Sequence, residues 1–444
     1  MPRGVNWCNS LRPLPLLTNN LQGLRGVASA LVVVKHLVAG WFTYLLWPAS
    51  AEGESPVLLQ LPYLRVFIQG RIGVAIFCLV TGYVCSLKPI KFFLQGNQNH
   101  AYASMSKSAI RRVPRLFLPV AIIILLSGIA TQLGAFETAN HCDGYGLPYT
   151  SPNRRSNIFA AAVNMLGDLI SVWARGHSEY GSELWTMMPI LKGAFWVYVF
   201  LVATANVKQK WRMAISLGLT IFRWMSNDAF FGMQFFFGAF MADLQNLDPG
   251  TFSAAQSLSG GPLRAVLSVF FLLVGLFVAS LPEANIEWQA WSEGLRNFLA
   301  VFLPPKPDFP RSSSGLGLDI IVIGLHLSPL ARSILSNRFF LWLGRMSFAV
   351  YLLHNQILRS VLCWMIYGFN IPAEGEPLMA VESTARVFMC IPFYLALTYG
   401  SAYLWTTYVD SFCARVSERL VSCIKEDNGE KAAGPPLLPQ HGRQ

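Results

Sequence analysis

Apolar residues fall along this chain in blocks, most of them long enough to cross a bilayer as helices and too long for strands. Ten such blocks stand out, at roughly 26 to 47, 66 to 87, 116 to 133, 187 to 205, 213 to 223, 229 to 244, 263 to 281, 316 to 335, 340 to 366 and 386 to 409. About 20 residues span a bilayer, so the weak pair between 213 and 244 is a hairpin of short or tilted helices. The pattern predicts an all-α fold, a polytopic transmembrane bundle of about 10 helices. Residues 1–23 form a cytosolic N-terminal segment, 24–410 the membrane domain, and 411–444 a cytosolic tail that is polar and Gly/Pro-bearing after Lys425, and so partly disordered.

Composition sharpens this. A chain of 444 residues that is 53% hydrophobic and only 13% charged lacks the polar surface of a soluble multidomain protein. The net charge of +11 comes from short basic runs between the apolar blocks. The positive-inside rule accounts for such runs better than nucleic-acid binding does. With ten spans, both termini are cytosolic, and acidic residues such as Glu52, Glu54 and Glu382 fall outside; the sequence does not say which membrane is occupied. Ala49-Ser50-Ala51 resembles a signal-peptide cleavage site, but the run before it is too long for a leader and is interrupted by Lys35 and His36. Two outer connections are long, 134–186 and 282–315. The first contains an amphipathic piece, Asn157 to Trp173, that lies on the membrane or re-enters it.

The first block carries the most chemistry. In a helix Arg25 and His36 share a face about 16 Å apart, which puts a titratable ring inside the bilayer below a permanent cation. Ionisable groups at that depth face a cavity or a partner. A neutral His36 is a candidate general base; the alternative is a ring bonded to a neighbouring helix. Lys88, Lys91 and Lys107 lead into Arg111-Arg112-Val113-Pro114-Arg115, a cluster able to hold the phosphates of a nucleotide-like donor, although an orientation signal needs the same residues. Gly70-Arg71-Ile72-Gly73 and Thr81-Gly82-Tyr83 set small residues where helices pack closely or where a donor passes. Ser347, Tyr351 and His354 share one helical stripe that faces other helices. Whether that stripe binds or merely bonds is left open by spacing.

Absences narrow the field. There is no Gly-x-Ser-x-Gly elbow, no phosphate loop, and no histidine followed five residues later by Asp. Cysteines such as Cys78, Cys85 and Cys390 lie inside apolar runs with no CxxC spacing. His141-Cys142-Asp143, and His177 with Glu179, lack a surrounding ligand set, so no metal is expected.

In this order the motifs resemble the acyltransferase-3 family of integral-membrane O-acyltransferases, its fungal members more than its bacterial ones. Arg25 and His36 match the family's Arg-x10-His. Gly70 to Tyr83, Arg111 to Pro119, Leu184-Trp185-Thr186, Gly238 to Asp243, Leu343 to His354 and Val409-Asp410 resemble its later motifs, so the likeness covers about residues 20 to 420. It implies transfer of an acyl group, commonly acetyl from acetyl-CoA, to a hydroxyl. His36 is then the base and Arg25 its companion; Arg111, Arg112, Arg115, Arg71 and Gly73 are donor contacts. Glu183, Trp185, Ser347, Tyr351 and His354 are further candidates. The acceptor expected is a hydroxylated small molecule such as a fungal secondary metabolite, and the alternatives are a cell-wall or surface glycan or a metabolite transporter using His36 as a proton relay. One departure stands out: Ile190 and Ala194 occupy positions where fungal members often have Glu and Ser.

Overall fold

The computed structural model describes residues 16–247, 262–373 and 376–424, and among them regular structure is helical. The principal helices are α1 (Leu16–Trp41), α2 (Arg71–Leu94), α3 (Gln98–Gln132), α4 (Ile158–Arg175), α5 (Met187–Ala203), α6 (Gln209–Met225), α7 (Gly232–Gln245), α8 (Pro262–Ala279), α9 (Phe309–Leu327), α10 (Arg338–Ile357), α11 (Thr384–Leu404) and α12 (Ser411–Ile424). The start of α1, the α2–α3 turn and α12 lie at one end of the bundle, called here the terminal end. The long connections 42–70, 133–157 and 280–308, with 368–373 and 376–383, lie at the other, the loop end.

α1 is the hub, packed along both α2 and α10. Small residues let it approach: a Cβ on Gly344 would lie 1.9 Å from the carbonyl oxygen of Gln22, and one on Gly73 2.6 Å from that of Ala28. The same device joins α2 to α7, where a Cβ on Gly82 would lie 2.2 Å from the Phe235 carbonyl and one on Gly238 2.3 Å from that of Leu79. Lipid gives helices no hydrophobic drive to associate, so such backbone contact supplies the packing. A bidentate pair, Arg212 Nε to Asp243 Oδ2 at 2.7 Å and Nη2 to Oδ1 at 2.6 Å, fastens α6 to α7. It is buried on both sides.

The all-α membrane architecture agrees with the hydrophobic pattern, but the count of ten does not carry over. Among the described residues seven helices are long and apolar enough to cross a membrane, or eight if the bent pair Phe309–Leu327 and Pro329–Leu335, turned by 104°, is one span. Two of the expected spans are short, α6 with 17 residues and α7 with 14, and α10 is interrupted by polar side chains. Conversely, α4 is long enough. It runs antiparallel beside α3, with Trp173 5.9 Å from Phe117. The chain then turns back along it, Ser178 donating to Asp168 at 2.6 Å and Arg155 pairing with Glu179 at 2.5 Å.

The segment that follows residue 410 begins with a helix. Residues 411–424 are helical, with Cys413, Ser417 and Val421 buried, because α12 lays its apolar stripe on α3. The tail from Lys425 and the first 15 residues of the N-terminal segment lie outside the described residues.

Candidate active site

A cavity of about 720 Å³ opens between α1, α2, α3, α5, α10 and α12 toward the terminal end, within the size range of sites for small ligands. Its wall carries seven cations, Arg25, Lys88, Lys107, Arg111, Arg112, Arg115 and Arg345, and one carboxylate, Asp410. Helix geometry explains the clustering. Asn97 caps the start of α3 by accepting from the His100 amide, and 35 residues of helix then carry Lys107, Arg111 and Arg115 down one face at four-residue steps. Pro114 and Pro119 lie inside this helix.

Among the described residues only Arg111 of the seven forms an ion pair, with Glu418 of α12. Asp410 is turned to the Trp405 indole, which donates to it at 3.1 Å. Like charges left together at this density call for an anion, and guanidinium groups suit phosphate oxygens through paired N–H donors.

The inner end of the cavity changes character. Val74, Phe77, Met187, Ile190 and Phe348 line it, with the hydroxyls of Thr186 and Tyr351 among them. Those hydroxyls lie 2.9 Å apart, and Tyr351 also donates to the Glu183 carbonyl at 2.8 Å. Behind Tyr351 stands His354, ring centroids 6.0 Å apart, and behind that His36 at 5.0 Å. His36 is half-buried and does not itself line the cavity. The Arg25–His36 face predicted from spacing thus runs from the cation wall to the His354 ring, which abuts Tyr351 of the cavity lining.

Around the imidazole pair sits a polar shell. Asn355 donates to Glu183 Oε2 at 2.8 Å and Gln356 to Oε1 at 3.4 Å. Arg359 donates to the Thr150 carbonyl and to Ser182 Oγ, both at 2.5 Å. Arg359 reaches them because α10 continues through a wider π-type turn, Leu358–Leu362, a feature often found at functional sites.

Several expected donor contacts and candidates fall elsewhere. Arg71 lies at the loop end, donating to the Leu281 carbonyl at 3.0 Å and standing 3.8 Å from Glu283. Gly73 is a packing contact on α1. Neither lines the cavity, so the donor role expected of both is withdrawn. Trp185 is half-buried, edge-on to Phe231 at 5.7 Å and beneath the Arg311 guanidinium at 5.4 Å. Ser347 is buried and donates to the Gly344 carbonyl at 2.9 Å, so it bonds within its own helix. Glu183 faces α10, whereas Ile190 faces the cavity. Arg345, Asn355 and Arg359 were not singled out from sequence. Arg345 had a signal, a cation inside the quoted Leu343–His354 run.

The fold and this arrangement define an integral-membrane protein with a cation-walled cavity whose inner end, at Tyr351, abuts a pair of imidazoles. The family model described as an acyltransferase domain matches residues 18–408, and the chain belongs to the acyltransferase-3 family. It is 28% identical over 404 residues to O-acetyltransferase PaAT-1 of Phomopsis amygdali, covering 85% of this chain and 80% of the relative. Similarity extends to acyltransferase clz18 of Cochliobolus lunatus, 23% over 398 residues with 77% and 84% covered. It extends also to acyltransferase R4 of a Phoma species, 20% over 392 residues with 77% and 82% covered. No solved structure matches. The chain is therefore an O-acyltransferase.

Proposed function

We propose that the donor is acetyl-CoA, taken up from the cytosol by the cation-walled cavity, and that the acceptor is a hydroxyl of a small molecule such as a fungal secondary metabolite. The observation that carries this reading is the imbalance of the wall, seven cations against one carboxylate, at the mouth of a cavity whose inner end is apolar and hydroxyl-bearing. Arg111, Arg112 and Arg115, with Arg25, Lys88, Lys107 and Arg345 around them, hold the phosphates. The terminal end then faces the cytosol, in keeping with the positive-inside rule. The acetyl thioester lies near Tyr351 and Thr186, whose hydroxyls are the polar groups available to a developing oxyanion. The name of the relative that is 28% identical, an O-acetyltransferase, supports acetyl as the group transferred.

His36 takes the proton of the acceptor hydroxyl as that oxygen attacks the thioester carbon. The C–S bond breaks, and the imidazolium returns its proton to the departing thiolate. Removing a general base of this kind costs about 10²- to 10⁴-fold. Purified His36→Ala protein should transfer labelled acetyl from acetyl-CoA slower by that factor. Transfer as fast as wild type would remove His36 from the chemistry.

A further inference from the structure

The second imidazole, His354, is held in a way that fixes its chemistry. Its Nδ1 lies 3.0 Å from the carbonyl oxygen of Val350. A carbonyl has no proton to give, so Nδ1 carries the hydrogen and the neutral ring has its lone pair on Nε2. That Nε2 is buried and has no hydrogen-bond partner among the described residues. Buried polar atoms are almost always partnered, so an unpartnered lone pair here asks for a donor.

The backbone around it is clamped. Tyr394 donates to the His354 carbonyl at 3.1 Å, and one turn earlier Tyr351 donates to the Glu183 carbonyl at 2.8 Å. The ring in contact is His36, centroid to centroid 5.0 Å and tilted by 57°. An N–H···N bond of about 2.9 Å between two imidazoles sets their centroids roughly 5 Å apart, so the observed spacing accommodates such a bond. Glu183, the buried carboxylate of this layer, is already bound by Asn355 and Gln356.

Resting on the acyl-transfer reading above, we infer that His354 is the positioning residue for His36. Its Nε2 accepts one ring N–H of His36 and thereby turns the lone pair of the other His36 nitrogen toward the acceptor hydroxyl. His354 does here what a carboxylate does behind many catalytic histidines, fixing tautomer and orientation. The bond also steadies the imidazolium formed during transfer. No bond to substrate is made by His354 itself.

The test uses the full-length protein in lipid nanodiscs, with acetyl-CoA as donor and benzyl alcohol and water as competing acceptors. His354→Ala is expected to lower kcat about 10- to 100-fold, the scale of losing an outer orienting partner, while KM for acetyl-CoA stays within about threefold of wild type. Added imidazole should restore part of kcat in His354→Ala and none in His354→Phe, whose side chain fills the space. A kcat within twofold of wild type overturns the inference, and so does a loss of acetyl-CoA binding that parallels the loss of kcat. An active His36→Ala protein instead sinks the acyl-transfer reading.

A second readout needs no turnover. With ¹⁵N-labelled histidine, wild-type His36 should show one protonated and one bare ring nitrogen, and His354→Ala should show the two averaged by tautomer exchange. Identical His36 spectra in the two proteins overturn the inference even where no acceptor reacts.

Discussion

Two clusters of basic residues sit at opposite ends of this bundle and are built to different purposes. At the loop end Arg65 donates to the carbonyls of Trp47 and Gln60, each at 3.2 Å, and of Leu46 at 2.9 Å. Lys35 pairs with Glu283 at 2.7 Å, and Arg71 donates to Leu281 next to it. These cations tie the connections 42–70 and 280–285 onto α1 and α2. At the terminal end seven cations stand around a hollow and one of them is paired with a carboxylate. A cation bound by its own loops stabilises the fold, whereas cations gathered beside a cavity with few carboxylates among them suit an anion that arrives.

Electrostatics at the loop end follow from that construction. Burial pushes the Arg65 guanidinium down to about 9, with Arg71 pushing the same way and Glu283 opposing. For Glu283, burial alone would raise its carboxyl, yet the charges of Arg71 and Lys35 override it and hold the group below the ordinary carboxylate range.

The comparison breaks most visibly at the cavity. Arg112→Ala combined with Arg115→Ala should raise KM for acetyl-CoA about 100-fold, since each charge-assisted phosphate contact is worth ~1.5 kcal/mol or more and ~1.4 kcal/mol is tenfold. The thermal midpoint should hold or rise, because like-charge repulsion falls. A lower midpoint with unchanged KM would mean that these arginines brace the fold as the loop-end ones do.

Glu283→Gln should give the opposite pattern. It leaves Lys35 and Arg71 half-buried without their counter-charge, costing roughly 1–3 kcal/mol, while KM for acetyl-CoA stays near wild type. Chemical denaturation in nanodiscs beside steady-state kinetics measures both. A raised KM with intact stability would make the loop-end cluster part of the donor site.

The apolar blocks made the helical membrane fold legible, and the run Arg111 to Arg115 made three of the seven wall cations legible, because both are local in sequence. The partner of Lys35 was not, since Glu283 lies 248 residues away and only folding brings it near. Arg71 was a different kind of miss. It sits beside the glycine motif and was grouped with the donor contacts, although Arg71 and Lys88 are 17 residues apart on one helix, about 26 Å of rise. That arithmetic alone sets Arg71 at the far end of the helix from the cation-walled cavity. The pairing of His36 with His354 was hidden for the reason that hid Glu283, and Arg359 reaches Ser182 only through a π-type turn that no periodicity announces.

The smallest effect expected is the response of the loop-end clasp to acid. Because the folded-state carboxyl of Glu283 is held below its unfolded value, the clasp contributes its full stability above the ordinary carboxylate range. That contribution fades as pH falls through the folded value. At mild acidity the unfolded chain has begun to take up the proton while the folded one still excludes it, so only part of the stabilisation is lost. The loss can never exceed what Glu283→Gln removes outright, since that variant has no carboxylate to protonate. Midpoints of wild type and Glu283→Gln should therefore lie farthest apart near neutral pH and converge below the carboxylate range, with other acidic groups shifting both curves together. A gap that stayed constant down to that range would show that Lys35 and Arg71 do not depend on the charge of residue 283, and the contrast between the two ends would then rest on the backbone carbonyls alone.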